Sequence, residues 1–289
     1  MRSGSLIIVG TGIQAAGQIT IEARSCIEQA DKLLYLVTEP IAKQYLVSLN
    51  STAESLEHFY EEGKDRFITY MEMVDRILEE VRRGLNVCVA FYGHPGVFVL
   101  PSHEAIKRAR DEGFYARMLP GISAEDCLFA DLGLDPALPG CQSFEATNFL
   151  INKRRFDTAC SLILWQIGVI GVLSYQNNEY SPKNLDVLSD YLGQFYGPDH
   201  KTIIYEAAAY PIYEPIAELV SISQLPQAKV SPISTLYVPP KNADVLYDKE
   251  MLQRLGVDAQ SIHHLELKLY AKQKRSTNIQ ASAPEKAER

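Results

Sequence analysis

Three side chains on one short stretch could carry acid-base chemistry together. Arg66 and Tyr70 stand four residues apart, so on a helix they project from one face, and Tyr60 lies on the approach to that helix, able to fold back toward them. A guanidinium beside two phenols favours the ionised form of a phenol and so offers a base. The alternative is a surface arginine beside two half-buried tyrosines. A second group sits on residues 91–102, FYGHPGVFVLPS, where Tyr92, His94 and Phe98 supply an aromatic wall and a polar handle and two glycines let a ligand approach the backbone. The alternative there is an ordinary strand-to-helix turn. Ser123 is a good N-cap for a helix whose first turn carries Glu125 and Asp126, and backbone N–H groups at such a start can hold a carboxylate or another acceptor. Gln166 lies within an apolar run, and a buried amide costs about 1–3 kcal/mol unless backbone or a ligand satisfies it.

The elements that must position these groups follow from hydrophobic period and breakers. Residues 87–91 form an apolar run that reads as a buried strand, and the polar and apolar alternation over 102–110 suits a helix. Loops at the ends of such strands are where open α/β sheets hold ligands. Phe67, Met71, Val74, Leu78 and Val81 recur at steps of four and three, predicting one buried stripe on a helix that Gly84 ends. Upstream, strands at 6–9 and 32–38 flank a helix over 19–30, and further strands and helices alternate to 136, the order of an α/β domain. Gly10, Gly12 and Gly17 puncture the first turn, but the third glycine comes too late for a dinucleotide fingerprint. The second half predicts strands at 142–148, 162–169, 202–208 and 234–238, with a helix over 182–196.

Gly133 and Pro136 mark a boundary. The expected organisation is an N-terminal α/β domain over 1–138, a second α/β domain over 139–240, a small helical extension over 241–267 and a disordered tail over 268–289. That tail holds six basic residues against two acidic ones and no apolar periodicity. The 289 residues suffice for one or two domains. A net charge of -8 argues against a general grip on nucleic acid. Five widely spaced cysteines without a CxxC pair read as thiols in a reducing compartment. No run is long enough for a signal peptide or a membrane span, so a soluble cytoplasmic protein is expected. No metal site is expected.

Five motifs, taken in order, carry a resemblance that spacing alone does not. YGHPGVF at 92–98, PGISAED at 120–126, ADLGLDP at 130–136, WQIG at 165–168 and STLYVPP at 234–240 resemble the borosin α-N-methyltransferases, which belong to the tetrapyrrole (precorrin) methylase superfamily. The match runs over residues 4 to about 255, and the opening VGTG turn is shared with the superfamily. The resemblance implies a two-domain α/β fold with S-adenosylmethionine in the cleft between the domains and S-adenosylhomocysteine as product. Carried over by motif, Tyr92, His94, Val97, Phe98, Ser123, Ala124, Gln166, Tyr205, Ala208, Ser234 and Thr235 are the expected cofactor contacts, and Tyr60, Arg66 and Tyr70 the catalytic group.

It further implies N-methylation of backbone amides in a ribosomally made peptide, and a homodimer in which a helical arm at about 57–83 clamps the partner subunit. Fungal members carry the substrate as a fused C-terminal core peptide rich in Val, Ile and Gly. The polar stretch 268–289 departs from that pattern, so the expectation is a split type that acts on a separate precursor peptide. A tetrapyrrole or ribosomal RNA methyltransferase of the same fold, or an inactive peptide-binding module, are the other readings.

Overall fold

The computed structural model describes residues 4–172, 184–241 and 248–258. The described residues fold as two compact units, one of residues 4–127, 171–172 and 207–215, the other of 128–170, 184–206, 216–241 and 248–258. The division falls at 127/128, inside a helix, whereas the glycine and proline punctuation suggests 138. The segment 207–215, between two strands of the second unit in sequence, groups with the first unit.

The first unit is built on β1 (Ser5–Gly10), α1 (Ile21–Gln29), β2 (Lys32–Leu36), α2 (Pro40–Leu49), β3 (Glu54–Ser55), α3 (Arg66–Arg82), β4 (Asn86–Phe91), α4 (Leu100–Asp111), β5 (Tyr115–Met118) and α5 (Ala124–Leu132). Its sheet has the order β3-β2-β4-β1-β5 with all pairs parallel. Alternation divides each strand between two cores, because successive side chains point to opposite faces. Leu6, Ile8, Leu34, Val87, Val89 and Phe91 meet α3 and α4, while Val9, Leu33, Tyr35, Cys88 and Ala90 meet α1 and α2. Both faces are therefore covered, and the central strands are nearly continuous apolar runs, as parallel sheets require.

In α3 the buried residues are Thr69, Met73, Val74, Ile77, Leu78, Glu80 and Val81. Val74, Leu78 and Val81 of the expected stripe are buried, but at its start Phe67 is 61% exposed and Met71 only packs at the core's edge. The helix ends as predicted. Gly84 at φ +86° donates to Val81 O and Leu85 donates to Glu80 O, the paired bonds of a glycine-closed terminus. Arg76 ties the helix to the sheet. It reaches Glu54 with Nε at 2.8 Å and Nη2 at 2.7 Å, and meets Glu80 at 2.6 Å, while Lys32 joins Glu54 at 2.7 Å.

The second unit holds β6 (Cys141–Glu145), α6 (Ala146–Ile151), β7 (Ser161–Trp165), α7 (Leu185–Tyr196), β8 (Lys201–Glu206), β9 (Ile216–Ser221), β10 (Thr235–Val238) and α8 (Lys249–Leu255). The sheet order is β6-β7-β10-β8-β9, parallel only between β6 and β7. Phe149, Leu188 and Leu192 from α6 and α7 pack on Leu162, Leu164, Ile204 and Leu236. The strand expected over 142–148 stops at Glu145, whose carboxylate caps α6 through the N–H groups of Thr147 and Asn148. The α/β class matches the expectation, while the helix at α2 and the edge strand β9 were not foreseen. The extension at 241–267 is described only as α8 and its flanks, and the tail at 268–289 lies outside the described residues. All five cysteines are free thiols.

Candidate functional site

The strand ends of the first unit converge on glycine. Parallel register sets Gly10 of β1 beside Phe91 of β4, so the turns that follow run side by side. Thr11 donates to Phe91 O at 2.8 Å, and Gly12 and Gly93 exchange backbone bonds at 3.3 and 3.0 Å. A Cβ on Gly10 would stand 2.2 Å from Gly93 O, and one on Gly121 would stand 3.1 Å from the α-carbon of Gly10. Three backbones therefore touch where side chains would hold them apart.

That approach presents the loop residues. Tyr92 is 40% exposed, and Val97 and Phe98 on the same loop are exposed too, an apolar and aromatic wall. Phe98 has φ +57°, a left-handed conformation that a bulky residue adopts only when its surroundings impose it. Burial of its hydroxyl pushes the Tyr92 phenol up to about 12, with Cys127 adding to the effect, so it stays protonated at neutral pH. His94 accepts the Gly96 N–H at Nδ1 over 2.9 Å, so the neutral imidazole carries its proton on Nε2. Ser123 is buried, and its N–H and hydroxyl both turn to the Asp126 carboxylate at 2.7 Å while Asp126 N–H returns to the hydroxyl at 3.2 Å. This reciprocal cap starts α5 and commits Ser123's donors internally. Ala124, the next residue, opens the helix. Ala208 lies on the 207–215 segment, held to this unit by Ala15 N–H to Ala209 O at 3.0 Å and by the Tyr210 hydroxyl on Glu39.

Tyr60, Arg66 and Tyr70 occupy the approach to α3 and its first turns. Tyr60 closes a 3₁₀ turn, Glu57–Phe59, and Asp65 caps α3 through the Phe67 N–H at 2.7 Å, which makes Arg66 the first helical residue. Both phenols are half-buried on the core that also receives Phe91, and Arg66 is half-buried. The first turn directs Phe67 and Ile68 to solvent.

In the second unit Gln166 follows β7 in the left-handed region, φ 59°, and its half-buried amide makes no hydrogen bond among the described residues. Ser234, Thr235 and Tyr205 are different. Their side chains are buried, Tyr205 donates to Asp131 at 2.6 Å, and Ser234 is bonded at its N–H, carbonyl and hydroxyl within the unit. Sequence reasoning passed over Glu206, to which Ser234 donates. Its signal was an acid inside the strand expected over 202–208, which in the structure ends at Glu206.

In the first unit, exposed aromatic side chains beside a glycine turn offer a π-face to a ligand. Among the described residues no cluster of His, Cys, Asp or Glu could hold a metal ion, and no helix is long and apolar enough to cross a membrane.

The family model of the tetrapyrrole (corrin/porphyrin) methylases matches residues 5–219. A methyltransferase/ribosomally synthesized cyclic peptide dendrothelin A precursor from Dendrothele bispora is 44% identical over 260 residues, 87% of this chain and 62% of that protein. A methyltransferase/ribosomally synthesized type I borosin cyclic peptide precursor from Coprinopsis marcescibilis is 42% identical over 265 residues, 89% of this chain and 68% of that protein. The chain thus spans less than two thirds of the dendrothelin A precursor. Among solved structures, uroporphyrin-III C-methyltransferase from Thermus thermophilus superposes with a TM-score of 0.59 at 17% identity, covering 82% of this chain and 93% of that one, a likeness of fold. With the family model covering most of the chain and both relatives above 40% identity, the chain belongs to the tetrapyrrole methylase family and, within it, to the borosin methyltransferases.

Proposed function

We propose that this chain is a methyltransferase that uses S-adenosylmethionine to N-methylate backbone amides of a ribosomally made precursor peptide supplied as a separate chain. The observation that carries the reading is that Tyr60 and Tyr70 lie half-buried on the core that receives the end of β4, with Arg66 half-buried as the first residue of α3. The relatives' names, which pair a methyltransferase with a cyclic peptide precursor, support the peptide.

A peptide nitrogen shares its lone pair with the carbonyl and is a poor nucleophile. It must lose its proton before it can take a methyl group. One phenol, Tyr70 or Tyr60, removes that proton in its ionised form, the other donates to the carbonyl oxygen as charge gathers there, and Arg66 adds a positive charge at the start of α3. When bound, S-adenosylmethionine supplies a sulfonium methyl and departs as S-adenosylhomocysteine. Tyr92, Val97, Phe98 and Gln166 are assigned to the adenosyl group, the Nε2–H of His94 and the start of α5 at Ala124 to its polar atoms, and Ala208 to its border. Ser123, Tyr205, Ser234 and Thr235 hold those positions from beneath. A cytoplasmic homodimer clamped by residues 57–83 completes the reading.

Tandem mass spectrometry of a candidate precursor peptide, incubated with the protein and methyl-labelled S-adenosylmethionine, tests it. Label is expected on backbone nitrogens, and Arg66→Ala should lower turnover by about three orders of magnitude while cofactor binding persists. Label on no peptide, or an active Arg66→Ala enzyme, would sink the scheme.

A further inference from the structure

We infer that Glu206 is a positioning residue for the second unit's share of the cofactor site, acting through Ser231 and Ser234 on the turn that carries Gln166. The inference rests on the methyltransferase reading above. Gln166 holds a left-handed conformation, and the short helical turn after it, Ile167–Val169, lies directly on residues 231–234. A Cβ on Gly168 would stand 2.0 Å from Ser231 O, and Ile167 N–H donates to Ser234 O at 3.1 Å. Whatever fixes 231–234 therefore fixes the floor under Gln166.

That floor is fixed by two hydroxyls on one carboxylate oxygen. Ser231 donates to Glu206 Oε1 at 2.6 Å, and Ser234 donates to the same oxygen. Each hydroxyl then accepts a backbone N–H: Ser234 Oγ from Ser231 at 2.7 Å, and Ser231 Oγ from Ile233 at 3.3 Å. A hydroxyl has a single proton to give, so an acceptor that takes it dictates which lone pairs remain for those N–H groups. Glu206, at the end of β8, orients both hydroxyls at once through one acceptor oxygen. No other carboxylate is seen to bond these serines among the described residues.

The test compares Glu206→Ala with Glu206→Gln by calorimetric binding of S-adenosylhomocysteine and by KM and kcat for methyl transfer. Glutamine keeps an acceptor oxygen at the same place and loses the charge. Glu206→Ala is expected to weaken binding and raise the cofactor KM about tenfold with kcat at saturation changed less than about threefold, while Glu206→Gln stays within about threefold of wild type. Wild-type affinity in Glu206→Ala, or a Glu206→Gln defect as deep as that of alanine, overturns the inference, the latter because charge rather than acceptor geometry would then matter. If Glu206→Ala does not fold, Ser231→Ala takes its place, with a loss of about threefold expected and an unchanged affinity counting against the inference. Failure of the wild-type protein to bind S-adenosylhomocysteine would overturn the methyltransferase reading itself, a result distinct from normal wild-type binding with no effect at position 206.

Discussion

The two units immobilise their strand-end turns by opposite means. In the first, Gly10 and Gly121 bring their backbones against each other and against Gly93 O by having no side chains to separate them. In the second, one glycine, Gly168, makes such an approach, and the remainder is held by two serine hydroxyls on Glu206. A contact made by excluding atoms has no graded failure, since the smallest added carbon collides with backbone. A contact made by hydrogen bonds weakens one bond at a time. The first kind suits a loop whose aromatic wall must not shift, and the second leaves the Gln166 turn open to tuning.

The sharpest break would come at Gly10. In Gly10→Ala the new carbon would stand 2.2 Å from Gly93 O and 2.8 Å from Pro95 Cδ, and neither is the free end of a flexible chain. A destabilisation of about 3 kcal/mol or more is expected, read as a shift of the urea midpoint at unchanged slope. A neutral substitution would mean that the turns after β1 and β4 can part without cost, and the contrast between the units would be lost.

Away from the strand ends the first unit does rely on polar bonds, and Glu54 is the case to test. Arg76, then Lys32, hold its carboxyl down to about 2 against partial burial that works the other way. With the folded value below the unfolded one, the stabilisation is present above pH 4.5 and is lost as pH falls toward about 2. Glu54→Gln should cost about 2 kcal/mol at pH 7 after allowance for solvent screening of a partly exposed pair. Denaturation of both proteins from pH 7 to 2 should show the two curves closing as the acid limit is approached. A gap that stayed constant would assign the loss to packing rather than to charge.

Ser234→Ala samples the second unit's mode. It removes one donor from Glu206 and leaves the Ser231 N–H without its acceptor. The expected cost is about 1–2 kcal/mol, smaller than at Gly10, because two hydrogen bonds go without a steric clash and the Ser231 link to Glu206 remains. A loss as large as that of Gly10→Ala would show that both units are equally brittle.

The sequence was most readable where one physical requirement dominated. The buried strand at 87–91, the glycine turn after it and the closing glycine at 84 each answer a single demand, and the structure has all of them. Readability failed where two signals competed. Pro40 after Glu39 marks the start of α2, a proline at the first helical position behind an acidic cap, but the β-rich run before it drew attention to the strand. Glu145 likewise stops β6 by capping α6, yet the apolar residues on either side suggested one continuous strand. β9 is an edge strand with exposed residues, so it lacks the alternation by which strands are found. The candidate site residues came from motif. Their division into residues that face outward and residues that brace from below was not, because Ser234 and Tyr205 differ from Gln166 only in what lies around them.

Phe67 provides the smallest expected effect and the finest test of placement. Period alone put it on the buried stripe with Met71 and Val74, but the first turn of α3 is rotated so that Thr69 and Met73 face the core and Phe67 is left outside. A helix samples every direction within a turn, and a large apolar residue on its first turn can satisfy two stripes about equally well. Which one is buried is decided by the sheet and by Arg76 on Glu54, not by the helix. Met73→Ala should therefore cost about 2–5 kcal/mol, and Phe67→Ala no more than about 0.5 kcal/mol in dilute solution. Denaturant titrations at several protein concentrations separate two ways of being wrong. A large, concentration-independent loss at Phe67 would return it to the core of its own chain. A loss that grows with protein concentration would place a second copy over the start of α3, beside Arg66 and Tyr70.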